Sequence, residues 1–223
     1  PNGNVIARSD PNGNVTSYAY DVLDRTTLIT YADGTSESMT YDRASNLVEC
    51  TDPNGSVTTR AYDDLNRHVR TDVAPASGVG GSTLRTFSYD GLSRLTETTD
   101  NNGSTDPTDD SIISFDYDSL SNLLRETQDG RSVSRTYDGA GNRLTLRHPS
   151  GKVLTYTCDA MNRVSSVADT GGLLVSYDYV GPRRILTRTH RNGTYTVYVC
   201  DDVRRVSRVS HRRTDDDVLL ADF

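Results

Sequence analysis

Tyr20 and Asp21 set a phenol beside a carboxylate, and Arg25 places a guanidinium four residues on. Such groups can hold and move a proton when one distinctive geometry pushes their pKa values apart. The set is not unique, however. Tyr-Asp stands at 20–21, 41–42, 62–63, 89–90, 117–118 and 137–138, and continues in altered form as Cys158-Asp159, Tyr179-Val180 and Cys200-Asp201. Four residues after each second position comes Arg25, Asn46, Arg67, Arg94, Asn122, Asn142, Arg163, Arg184 or Arg205. Nine near-identical copies, with Val180 replacing one carboxylate, read as scaffold rather than as an active site.

The other reactive residue types lead the same way. His148, His190 and His211 occupy a column where other units carry Asp10, Asp52, Asp100 and Asp169, so they stand in for a turn residue. Neighbours in that column are expected ~10 Å apart, too far to share a zinc ion. Cys158 and Cys200 replace column tyrosines two units apart, or ~19 Å by strand spacing, whereas a disulfide needs Cα atoms within roughly 7 Å. Both are expected to be free, as is Cys50. The acidic stretch 100–110 is the best cation candidate, because Asp100, Asn102, Asp106 and Asp109 fall near a calcium-loop spacing. It lacks the first Asp and the bidentate Glu of such a loop, and a solvated loop is the expected reading. Asn14, Asn54, Asn102 and Asn192 match the glycosylation sequon, a by-product of Asn-Gly turns followed by strand Ser or Thr. No catalytic, cofactor-binding or metal residue is assigned, and no cofactor is expected.

A repeating frame positions these residues. Nine residues after the Arg/Asn column come Gly13, Gly34, Gly55, Gly103, Gly151, Gly172 and Gly193, in clusters such as Pro-Asn-Gly and Ala-Asp-Gly. These are tight turns, since Gly adopts positive φ and Asn or Asp tolerates it. Segments entering the Tyr column, such as "VTSYAY" and "VLTYTC", alternate with period two and predict strands. The Tyr column and the position two before it hold 11 of the 13 tyrosines. They are expected to form a ladder of rings on one sheet face. The apolar residues two before the Arg/Asn column, Leu23, Leu65 and Leu92 among them, and those just after it, such as Leu47, Leu95 and Leu123, are expected to clamp the Tyr-Asp turn. Asp is expected to accept backbone N–H bonds there, and Arg to pair along the sheet edge. Each unit thus reads strand, turn, strand, turn, with insertions at 73–81 and 101–111 and a one-residue deletion before Gly130.

Composition bounds the rest. With 34% hydrophobic residues and no Trp, the chain can cover one sheet face but has little material for a thick core. A formal charge of −7 argues against general nucleic-acid binding. Nine arginines between 181 and 213 are expected to alternate outward as a solvated face. No run of 18 apolar residues occurs, and no membrane insertion is expected. The chain opens without Met or a signal peptide, with Pro1 inside a motif, so it is expected to be a piece of a longer protein.

The pattern Tyr-Asp-x-x-x-[Arg/Asn]-Leu with Pro-Asn-Gly-Asn nine residues on, and stretches such as "YDGLSRLTETTDNNG" and "YDGAGNRLTLRHPSG", resembles the RHS/YD-repeat family. The resemblance covers essentially all of 1–223 as one repeat region of ten ~21-residue units. It implies an all-β ribbon of about nineteen short antiparallel strands, spiralling into a hollow shell or barrel-like sheet. It also implies a non-enzymatic structural role in a large secreted or cell-surface shell that encloses or carries a toxin or other domain. The alternative is an extracellular adhesin or filament segment mediating cell–cell or carbohydrate binding. Expected partners are other repeats of the same polypeptide, then an encapsulated toxin domain or a cell-surface glycan or protein. Toxin-type shells end in an autocleavage core with Asp-Pro-x-Gly followed by Leu or Trp. Here Asp10-Pro11-Asn12-Gly13 precedes Asn14 and Asp52-Pro53-Asn54-Gly55 precedes Ser56, so autoproteolysis is not expected.

Overall fold

The period-two segments form strands because β-branched and aromatic side chains pack well on a pleated, half-covered surface. Val15–Tyr20 is typical, with exposed and half-buried residues alternating so that Tyr18 and Tyr20 share the covered face. The computed structural model describes residues 3–223. Pro1, read from the sequence as lying inside a motif, falls outside them. Twenty strands run from Ala7–Ser9 to Leu219–Asp222 with no helix among the described residues, one strand more than the sequence count. The chain divides into two compact units, Pro1–Ser114 and Phe115–Phe223. Within each, strands pair antiparallel with their sequence neighbours, as in Thr26–Thr30 with Ser36–Tyr41 and Arg143–Arg147 with Val153–Cys158.

The sequence frame does not announce one regular feature. The register slips at the Tyr column, between Ala19 and Tyr20, Thr40 and Tyr41, Ala61 and Tyr62, and Ser88 and Tyr89 in the first unit. It slips likewise before Tyr137, Cys158, Tyr179 and Cys200 in the second. A β-bulge re-aims the side chain at its corner and tightens the local twist. A one-residue slip leaves no mark in an alternating pattern that ends in a turn.

Among the described residues no apolar side chain is fully buried, and Thr196, 1% exposed, is the largest that is. The apolar side chains of each unit's covered face are at most half-buried, as the low apolar content requires. The expected clamp is corrected for its outer column, while Leu47, Leu95 and Leu123 just after the Arg/Asn position are half-buried. Leu65 and Leu92 are each 66% exposed, because the turn carries them past the end of the ladder into solvent.

The two insertions meet in the first unit. Asn101 Oδ1 accepts the backbone N–H groups of Thr83 and Leu84, while its Nδ2 donates to Thr83 Oγ1 and the Ser104 carbonyl. Gly103 sits at φ +79°, and a Cβ there would collide with the Gly81 carbonyl oxygen. Gly13, at φ +85°, faces open space. Gly103→Ala is therefore expected to cost at least ~2 kcal/mol, against about 1 kcal/mol for Gly13→Ala, where only the left-handed backbone is penalised. Chemical denaturation of the two variants checks the difference.

Candidate functional site

The recurrent constellation is an inter-repeat clamp built on the Tyr-Asp turn. Asp21 Oδ1 accepts the N–H groups of Leu23 at 2.9 Å and Arg25 at 3.0 Å. Its Oδ2 takes Arg25 Nε at 2.7 Å and a terminal guanidinium nitrogen at 2.6 Å. The residue before the Arg/Asn column is left-handed, with φ of 61° at Asp24, 70° at Ser45, 58° at Asn66 and 61° at Ser93. That column favours Asp, Ser, Asn and Gly, the short residues that tolerate such a backbone. This signal was present in the sequence and marks the turn as firmly as the glycines do.

From this turn each unit reaches forward. Arg25 donates to the Asp42 carbonyl at 3.1 Å and to Ser45 Oγ at 3.2 Å, with its guanidinium 4.7 Å from the Tyr41 ring centre. Arg67 repeats the contacts on the Asp90 carbonyl, Ser93 and Tyr89. Arg163 does so on the Gly181 carbonyl and Tyr179. Where the column holds Asn, the amide takes a shorter path. Asn46 Nδ2 donates to Asn66 Oδ1 at 3.1 Å, Asn142 to Asn162 at 2.9 Å and Asn4 to Asp24 at 2.8 Å. Asn4 thus belongs to the column, nine residues before Gly13.

The phenols reach back. Tyr20, Tyr41, Tyr62 and Tyr89 donate their hydroxyls to the carbonyls of Val5, Thr26, Leu47 and His68, each the residue after the Arg/Asn position of the preceding unit. Tyr137 and Tyr179 do the same to Leu123 and Val164. The expected ring-on-ring ladder is corrected here. The one Tyr–Tyr ring contact described is Tyr177 with Tyr179, on a single strand. Successive column rings are separated by an intervening strand; a guanidinium covers Tyr41, Tyr89 and Tyr179, and the expected run of rings survives where His68 bridges Tyr62 and Phe87.

Hydrogen bonds hold the turn carboxylates below the usual range. The main cause is the donated side-chain bond of Arg25 at Asp21, Arg163 at Asp159, Asn46 at Asp42 and Asn142 at Asp138. At Asp63, Asp90 and Asp201 it is the backbone N–H of Arg67, Arg94 and Arg205. Asp222 is lowered to about 2, chiefly by Arg208 and then by Ser210. A depressed carboxylate stabilises the fold fully above its unfolded value, about 4, and the contribution disappears as pH falls through the folded value. Thermal midpoints followed by circular dichroism are thus expected to be flat between pH ~7 and ~5 and to fall steadily below pH ~4.

The remaining candidates are occupied locally. His190 Nε2 accepts from Arg188 Nε at 3.1 Å, and burial pushes its pKa down. His211 lies inside the strand Val206–Arg213, with Nδ1 3.0 Å from Thr196 Oγ1, rather than in a turn as its column suggested. The hairpin there extends beyond the frame. Cys50, Cys158 and Cys200 are free thiols, and Cys50 donates to Glu37. In the acidic loop, Asp100 accepts from Arg85 and from the Asn102 N–H, while Asp106 Oδ1 caps Thr108. No three His, Cys, Asp or Glu side chains converge on a metal position among the described residues. The basic stretch is largely matched by acids: Arg191 meets Asp169, Arg205 meets Asp201, Arg208 meets Asp222 and Arg212 meets Asp217. Both Asp-Pro-Asn-Gly segments are ordinary turns, with Asp10 Oδ1 accepting from Asn12 and Asn14 and Asp52 Oδ1 from Asn54 and Ser56.

Comparison with known proteins gives this frame a family. The RHS repeat model matches residues 1–36, 41–74, 117–153 and 137–174, together more than half of the chain. No curated protein matches in sequence. Among solved structures, TcdB2-TccC3 superposes with a TM-score of 0.70 at 12% identity, covering 97% of this chain and 14% of that one. The TcdB2-TccC3-Cdc42 structure gives 0.69 at 13% identity, with the same coverage. The Tc holotoxin pore of Photorhabdus luminescens gives 0.63 at 14% identity, covering 97% of this chain and 13% of that one. At such identity the likeness is one of fold, and the chain spans about one seventh of the toxin-complex chains it matches. With the clamp recurring in phase and the repeat model matching four times, the chain belongs to the RHS repeat family.

Proposed function

We propose that this chain is a structural, non-enzymatic segment of a larger RHS shell, one continuous repeat region whose partners are further repeats of the same polypeptide. The observation that carries the reading is the two-way clamp. Among the described residues at least six hairpins send Arg or Asn forward and at least six receive a phenol from the next, while Cys158 and Cys200 offer none, so a wall extends by nearest-neighbour contacts. The reactive side chains are consumed by that task. The fold likeness to toxin-complex chains supports a shell that is secreted or at the cell surface and encloses or carries a toxin or other domain.

Negative-stain images of the full-length protein, paired with limited proteolysis, test this. Closed hollow particles in which a segment becomes protease-sensitive only after the particle is opened are the expected result. Extended fibres with no protected segment would overturn the shell reading in favour of the adhesin one.

A further inference from the structure

We propose that the second unit carries an oxyanion-binding site built from Arg125, Arg131, Arg147 and His148, with the hydroxyls of Ser132 and Ser134. These residues line one open depression of about 480 Å³, completed by Gly130 and Pro149. Strand register makes the placement definite: Ser134 pairs with Arg125 on one side and Arg147 on the other. The three residues therefore form one row across three strands on one face. The Asp129-Gly130 turn, with φ of 47° and 77°, is a tight hairpin connection that starts the middle strand at Arg131 and brings that cation to the rim.

The repeat frame supplies the control. Arg70 and Arg208 stand at the frame position of Arg125, eight residues after the Tyr column. Each is neutralised by two-pronged bonds to a carboxylate, Arg70 to Asp72 at 2.6 Å and Arg208 to Asp222 at 2.7–3.0 Å. The residue matching Asp72 in this unit is Thr127, which is engaged with Ser132, and the carboxylate nearest Arg125 is Asp116 at 3.7 Å. The frame position of Arg147 holds Thr, Asp, Ala or Ser in every other unit. In an otherwise acidic chain, residues 123–152 hold six Lys and Arg against three acidic residues. Guanidinium forks without a two-pronged carboxylate bond, on either side of a hydroxyl, suit a phosphate or sulfate oxyanion, which accepts paired N–H bonds at charge-assisted strength. A monoester on a sugar fits a shallow, polar, open depression better than an apolar ligand does.

Amide chemical-shift mapping of the whole chain at low salt, titrated with glucose 6-phosphate and separately with glucose 6-sulfate, tests the site. Saturating shifts centred on Arg131, Ser132, Ser134 and Arg147 are expected. Arg147→Thr and Arg125→Thr, which restore or approach residues the frame uses elsewhere, are each expected to weaken binding roughly tenfold or more. Response to one ester alone identifies its source, and response to both establishes the shared chemistry. Shifts with neither ester, shifts centred elsewhere, or affinity unchanged in both variants would overturn the site. Mapping on the unaltered chain stands even where a variant fails to fold.

Discussion

Tyr89→Ala is expected to lower stability by about 3 kcal/mol, and Tyr89→Phe by about 1 kcal/mol. The phenylalanine variant loses one hydrogen bond, from the Tyr89 hydroxyl to the His68 carbonyl at 2.8 Å. Alanine also removes the ring on which the Arg67 guanidinium rests at 4.8 Å. The ring is half-buried, so the cost lies at the lower end of the range for removing an aromatic side chain. Because repeats hold only their neighbours, an interior break also loosens cooperativity. Urea denaturation is expected to show a broadened transition for Tyr89→Ala and a merely shifted one for Tyr89→Phe.

Asp63→Ala is expected to rank next, lowering the thermal midpoint by roughly 5 °C, the scale of losing a capping side chain. Its carboxylate accepts from the Leu65 and Arg67 N–H groups and holds the Arg67 guanidinium at 2.7 Å. Without it, Arg67 is released from its seat beside Tyr89 and the Asp90 carbonyl, so damage reaches the following repeat. The chain shows what natural loss of this carboxylate requires. At Val180 the ladder gains the pair Val180–Arg184, and Gly181 takes φ 62°. The Asp63 turn has Asp64 where Gly181 stands, so Asp63→Val is expected to be no milder than Asp63→Ala.

The clamp residues were legible because nine copies aligned them: Asp21 and Arg25 become intelligible only beside Asp63 and Arg67. The destination of each phenol was not, since alternation tells which face Tyr41 occupies but not that a bulge turns its hydroxyl to Thr26. Repetition was equally silent where copies differ. The contact between the insertions sets Gly103, a glycine of the frame, against Gly81, which has no counterpart in it. His211 was misplaced for the same reason, because its column position was inherited from units whose hairpins are shorter. The turn leucines misled by chemistry, an apolar residue being read as a clamp when the backbone projects Leu65 into solvent.

Hydrogen exchange read by mass spectrometry, comparing the unaltered chain with Tyr89→Ala, bears most directly on neighbour-by-neighbour coupling. Protection is expected to fall in the strands His68–Ala74, Leu84–Tyr89 and Leu95–Asp100, and to persist in Val153–Cys158 and Val164–Asp169. Uniform loss across all strands, or no loss beside Tyr89, would contradict a wall held together by the clamp.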